Sequence, residues 1–223
     1  MKKTTVAESL PELWVALGET AWMVALSFIV TLILGTLVGV LLRLSAPDGL
    51  RPKAWAYTIF GGIVNLARSL PFLILLIAVI PVTRFIVGTA YGPTAAAVPL
   101  AIGAIPFFGR VVEAALREVA PGKVEAAQVM GATTWQIVRK VLLPEAAAPL
   151  VSGGTLTLVM LIGYSAMAGT IGGGGVGDFA IRYGYQRFNT PVLLVSVAVL
   201  IVIVQAIQSI GDLIVRGMAH KRG

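Results

Sequence analysis

The sequence predicts an all-α protein that crosses a lipid bilayer five times. Composition comes first: hydrophobic residues make up 57% of the 223 and charged residues only 12%, with a mean hydropathy of +0.92. A soluble domain carries roughly a quarter charged residues to keep its surface hydrated, so membrane integration fits this chain better. Second, five uncharged runs are long enough to span hydrocarbon, and third, the basic residues gather on one side of the topology they imply. The chain reads as one domain, residues 1–223.

About 20 apolar residues cross some 30 Å of hydrocarbon in helical form. The first span, 20–42, is uninterrupted. The run from Ala54 to Thr83 is broken only by Arg68 and is too long for one straight crossing, so the second span is expected at 58–80 with a bend at Pro71. Gly92-Pro93 marks a turn, which starts the third span at 93–112. The fourth lies at 150–171 and leads into a glycine-rich stretch, and the fifth lies at 188–211. At the start of the chain, Lys2 and Lys3 are followed by Glu8, Glu12 and Glu19, a pattern unlike a cleavable signal.

Charge then orients the spans. With the N-terminus outside, the inner side holds Arg43, Arg51, Lys53, Arg110, Arg117, Lys123, Arg139, Lys140, Arg216, Lys221 and Arg222, 11 of the 17 basic residues. The outer side holds Lys2, Lys3, Arg84, Arg182 and Arg187, and Arg68 falls within a span. Positive-inside bias favours this orientation, and an odd number of spans leaves the C-terminus inside. The net charge of +7 is thus a topology signal, and nucleic acid is not an expected partner. The absence of cysteine excludes thiol nucleophiles and iron–sulfur clusters. A lone histidine, His220 in the basic tail, argues against zinc.

Between the third and fourth spans lies a polar and small-residue insert, 113–146. Pro121 suits a first helical position and Gly131 the left-handed position that ends a helix. Between them Glu125, Ala126 and Ala127 form a small-residue surface. Thr133 with Gln136 three residues on reads as a capping box. Trp135, Val138, Val141 and Leu142 repeat at helical spacing, opposite Gln136, Arg139 and Lys140. Pro144 is expected to break the helix before the next span. Periodicity alone leaves two readings open, a rigid docking hairpin or an amphipathic loop on the headgroups.

The spacing narrows the choice. Glu125-Ala126-Ala127, then Gly131, then Val141, Leu143 and Pro144 resembles the cytoplasmic loop of the ABC importer permeases, with valine where isoleucine is commoner. Arg68 to Phe72, Pro81 to Arg84, Ile86 to Thr89, Met130 to Thr133, Gln136 to Ala146 and Gly163 to Gly169 are similar to the methionine importer permeases of that family. These blocks run from about Arg68 to Tyr185. The resemblance implies a non-catalytic permease subunit in a bacterial inner membrane. It implies a second copy of this chain, two ATPase subunits docked on the coupling loop, and an extracytoplasmic methionine-binding protein. It implies no cofactor in this chain, ATP and magnesium being bound by the partner; indeed no Gly-x-x-x-x-Gly-Lys-Ser/Thr stretch is present.

Other features carry readings of their own. The fourth span holds Ser152, Gly153, Gly154, Thr155, Thr157, Gly163, Tyr164, Ser165, Met167, Gly169 and Thr170. Small and hydroxyl residues suit helix packing, while the span as a whole is the candidate pathway lining. Met167 is the candidate gate, with Tyr164, Ser165 and Arg68 beside the pathway. For Arg68 the competing reading is a side chain that snorkels to the cytoplasmic headgroups. Gly35-x-x-x-Gly39 is expected to pack helices within the chain. Gly172-x-Gly174-x-x-Gly177 follows a membrane helix rather than a strand, so a flexible outer loop is expected there rather than a dinucleotide site. Tyr183 and Tyr185 suit interfacial anchors. The rival classes are an importer permease for another small amino acid or thioether, an ion-coupled secondary transporter and a membrane scaffold. Ion coupling usually needs intramembrane carboxylates, and none is expected centrally in the five spans.

Overall fold

The computed structural model describes residues 6–220, which form helices joined by short turns; among them there is no strand. Lys2, Lys3, Lys221 and Arg222, used above in the charge balance, lie outside the described residues. In chain order the helices are α1 (Leu10–Ser45), α2 (Ala54–Ser69), α3 (Phe72–Ala78), α4 (Ile80–Val87), α5 (Pro93–Arg117), α6 (Pro121–Val129), α7 (Thr134–Ile137), α8 (Leu143–Glu145), α9 (Ala147–Ala168), α10 (Gly175–Phe179) and α11 (Thr190–His220). Four stretches are long and apolar enough to cross a membrane, and the bent pair α2–α3 brings the total to as many as five.

The expected spans coincide with real helices but the ends move. α1 begins ten residues before the predicted 20–42, with a proline in its opening turn, and its 36 residues exceed the hydrocarbon thickness. α11 likewise outruns 188–211 at its C-terminal end. α5 opens at Pro93 as expected and runs on to Arg117. Arg110 and Arg117, both counted above on the inner side, therefore stand on the last turns of a helix.

The second span bends where expected, at Pro71, but far more sharply than a kink: α2 and α3 meet at 104°, the geometry of a broken span or a re-entrant loop. Leu70 and Pro71 are both extended, with ψ of 129°. Proline removes a helical donor and forces its predecessor out of the helical region, so two consecutive residues leave the helix and the axis swings round.

α1 packs chiefly against α5, and α9 lies against α5, α1 and α11. The α1–α5 crossing is close because glycines face it. A β-carbon on Gly39 would stand 2.5 Å from the Gly109 carbonyl oxygen, and one on Gly35 2.9 Å from the Phe108 ring. The Gly35/Gly39 pair thus serves packing within the chain, as expected. In the fourth span, Gly153 meets Val111 and Gly211 meets Thr155 in the same way. The Thr157 hydroxyl, fully buried, donates to the Gly153 carbonyl at 2.7 Å.

The glycine-rich stretch is not a flexible loop. After a 3-10 turn, Gly169–Ile171, the chain reverses and α10 folds back against α9 and α1. A β-carbon on Gly177 would lie 2.4 Å from the Ala166 backbone, and one on Gly169 equally close to the Asp178 amide nitrogen. The Glu19 carboxylate accepts from the Gly175 amide at 2.7 Å and the Thr20 hydroxyl from the Val176 amide at 2.9 Å. These glycines permit close approach, and α1 caps what they bring near.

Candidate functional site: a helical insert and a cleft beside the α2–α3 break

The insert forms as its residues require. Pro121 opens α6, whose last residue is Val129; Gly131 follows at φ 78°, a left-handed conformation glycine adopts without steric cost. Thr133 caps α7 by accepting from the Gln136 amide, while the Gln136 side chain accepts from the Thr133 amide at 2.8 Å. Pro144 does not break the chain's path. A π-turn, Val138–Leu142, precedes it, and α8 leads through Ala146 into α9. Widening the helix by one residue per turn accommodates the proline ring.

The insert is bolted to the bundle. Ala127, Ile137, Val138 and Leu142 share one buried cluster with Val40 of α1 and Phe108, Val112 and Leu116 of α5. Lys123 and Glu145 add an ion pair of 2.6 Å between α6 and α8, and Arg51 donates to the Thr134 hydroxyl at 3.2 Å. The small-residue surface is accordingly divided. Glu125 and Ala126 are exposed whereas Ala127 points into the cluster. Val141 and Leu143 pack against the same cluster as half-buried side chains, and Pro144 is exposed. The apolar face assigned from periodicity also shifts. Ile137 takes the inward place expected of Trp135, which is 66% exposed. With Val129 and Met130, 88% and 80% exposed, Trp135 leaves three large apolar side chains on the outside of the insert. Sequence reading missed Val129 and Ile137, since a four-residue α7 is too short for periodicity to fix its phase.

A buried polar knot lies at the same end of the bundle. Glu113, only 4% exposed, accepts from Arg110 at 2.6 Å, Tyr57 at 2.9 Å and Arg117 at 3.1 Å. Arg110 also donates to the Gly61 carbonyl and the Asn65 side chain, tying α2 to α5. Glu113 falls just past the predicted third span and was not singled out. The signal was there: a carboxylate flanked at helical spacing by Arg110 and Arg117.

The proposed pathway residues separate. On α9, Leu156, Gly163 and Met167 are exposed along one face, and Thr170 in the following turn is exposed too. Ser165 is not on it; its side chain is buried and donates to the Ile162 carbonyl at 2.7 Å. Tyr164 stacks on Phe72 with ring centroids 3.9 Å apart and planes within 5°. Arg68, on the last turn of α2, stands over the Phe107 ring at 5.8 Å. Arg68 and Tyr164 line one cleft of about 230 Å³ with Phe72, Gly103, Phe107 and Met160. The structure thus brings Arg68 and Tyr164 together and leaves Ser165 in the helix packing.

These features define a class, a helical multi-span membrane protein with a helical insert fixed rigidly between two of its spans. The comparisons make the class particular. Residues 32–221 match the family described as binding-protein-dependent transport system inner membrane component, and the chain belongs to that family. It is 53% identical over 206 residues to the probable D-methionine transport system permease protein MetI of Vibrio cholerae, covering 92% of each chain. It is 45% identical over 205 residues to the methionine import system permease protein MetP of Bacillus subtilis, again covering 92% of each. Its fold matches a permease chain in the inward-facing MetNI methionine ABC transporter with a TM-score of 0.92 and 46% identity, covering 94% of this chain and 97% of that one.

Proposed function

We propose that this chain is the membrane-spanning permease subunit of an ATP-driven importer for methionine, working as a pair of copies with two ATPase subunits and an extracytoplasmic binding protein. The observation that carries the reading is the match over nearly the whole chain to relatives and a solved transporter whose names specify methionine. Chemistry is left to the partner, which binds ATP and magnesium. The insert lies on the cytoplasmic side, the N-terminus outside and the C-terminus inside, on the strength of the charge bias. Because the sequence has no cysteine, single cysteines at Met130 and Arg187 test this directly. An impermeant maleimide added to intact cells should label position 187 and spare position 130; the reverse pattern sinks the topology.

Glu125, Ala126, Ala127, Gly131, Val141, Leu143 and Pro144 form the coupling loop, with a division of labour. The exposed set, joined by Val129, Met130 and Trp135, contacts the ATPase subunit, and the inward set anchors the loop to α1 and α5. When two ATPase subunits close on ATP the paired inserts approach each other, and α5 and α9 follow through the shared core, opening the pathway outward; hydrolysis reverses the motion. The insert must bind the two motor states with different free energies, since equal affinity shifts nothing. Met167 narrows the pathway between the two copies at rest. Met167→Ala should raise substrate leak, or ATPase activity without substrate, in proteoliposomes; unchanged rates remove the gate from Met167. Uptake of labelled methionine by the reconstituted assembly tests the function itself, and an assembly that moves none despite ATP hydrolysis rules it out.

A further inference from the structure

Two arginines, Arg68 and Arg110, flank the same stretch of α2, and the contrast between them is informative. Arg110 is held by Glu113, Asn65 and the Gly61 carbonyl through both terminal nitrogens of its guanidinium. Among the described residues no carboxylate pairs with Arg68, whose guanidinium meets only the face of Phe107. Arg68 lies about 21 Å along α2 from Ala54 at helical rise, at an exposed position on the last turn of that helix. An ionisable residue at membrane depth normally faces a partner or a solvated path. Here it faces a cleft of about 230 Å³, held open by the 104° break after Ser69 and walled by Phe107, Met160, Phe72 and Tyr164. The Phe72–Tyr164 stack fixes two of those walls.

We propose that this cleft is a carboxylate-recognition subsite within the translocation path. The Arg68 guanidinium receives the α-carboxylate of the passing amino acid in a bidentate pair. The unbranched apolar side chain of the substrate lies against Met160 and the aromatic walls, where a thioether gains sulfur–aromatic contact. The proposal rests on the permease reading above and adds a substrate contact inside the membrane domain itself. It also accounts for a charge retained in a span without a partner of its own, since the cargo supplies the counter-charge during passage.

The test uses the permease–ATPase complex in nanodiscs without binding protein, with radiolabelled methionine at millimolar concentration as the probe. Wild type should bind methionine, unlabelled methionine should displace it, and 3-(methylthio)propylamine, which lacks the carboxylate, should not. Arg68→Gln should weaken binding at least tenfold, and Arg68→Lys should recover part of that loss. Copurification of the ATPase subunit verifies that each variant is assembled. An assembled Arg68→Gln complex that binds like wild type overturns the proposal, as does equal competition by the amine or no binding by wild type. A lipid phosphate is the other anion that fits a guanidinium. If wild type binds methionine in neither phosphatidylcholine nor phosphatidylglycerol nanodiscs, while anionic lipid protects an Arg68→Cys thiol from labelling, lipid occupies the cleft and the subsite is refuted. Uptake into proteoliposomes carrying the complete assembly separates the two levels. Intact wild-type uptake alongside any of these failures removes only the subsite, whereas absent uptake removes the permease reading with it.

Discussion

The insert at 121–144 and the glycine-rich turn at 169–178 both interrupt a chain of membrane helices, and they are finished in opposite ways. The glycine-rich turn is closed. Its glycines sit against backbone, its amides are capped by Glu19 and Thr20, and Val176 and Phe179 are buried. The insert is closed only on its inner side, where Ile137, Val138 and Leu142 join the bundle, and leaves Val129, Met130 and Trp135 uncovered on the other. In the proposed coupling role, these uncovered apolar side chains on a polar element are the docking surface. Close backbone packing and amides capped from a neighbouring helix mark a structural corner.

Substitutions that treat the regions alike should therefore have unlike effects. Gly177→Ala should be the most damaging, because its β-carbon would sit 2.4 Å from the Ala166 backbone, which cannot move aside as a side chain can. Overpacking of this kind costs about 3 kcal/mol, and the expected readout is loss of monodisperse protein in detergent. Gly131→Val should leave the permease folded, since nothing lies near the added β-carbon, yet strain the left-handed turn by about 1–2 kcal/mol. Uptake should fall at least tenfold while the isolated ATPase subunit stays active, and Gly131→Asn should be milder. Normal uptake by Gly131→Val would show that the turn is not a stiff lever.

A smaller and more selective effect is expected at the docking face. Trp135→Ala should leave the melting temperature of the permease unchanged and reduce ATPase recovery in copurification about tenfold, the loss typical of an aromatic anchor at roughly 1–2 kcal/mol. A drop in stability without a drop in recovery would make Trp135 a structural residue. The weakest perturbation is Glu19→Gln, which keeps an acceptor at the α10 amide and removes charge; about 1 kcal/mol is expected by analogy with helix caps, readable as a small fall in melting temperature with docking untouched.

How far the sequence reached differs by level. Helix identity, the turn at Gly92-Pro93, the capping box at Thr133 and Gln136 and the left-handed glycine at 131 were all legible, because each depends on residues close in sequence. Composition and charge bias carried the membrane class. The polar insert declared itself as the one region lacking apolar continuity.

Everything that depended on distant neighbours had to wait for the packed structure. Whether Pro71 kinks or breaks a span depends on where Leu70 and Pro71 leave the chain pointing, and only the α3 contacts select the 104° turn. Whether Ala127 faces a partner or the core depends on α5 lying behind it. Local chemistry fixes local geometry, so the sequence by itself determined the helices, their caps and the medium they occupy. Which face of each helix is covered is a property of its neighbours, so tertiary structure alone placed Ser165 inside, Trp135 outside and Arg68 over an open cleft.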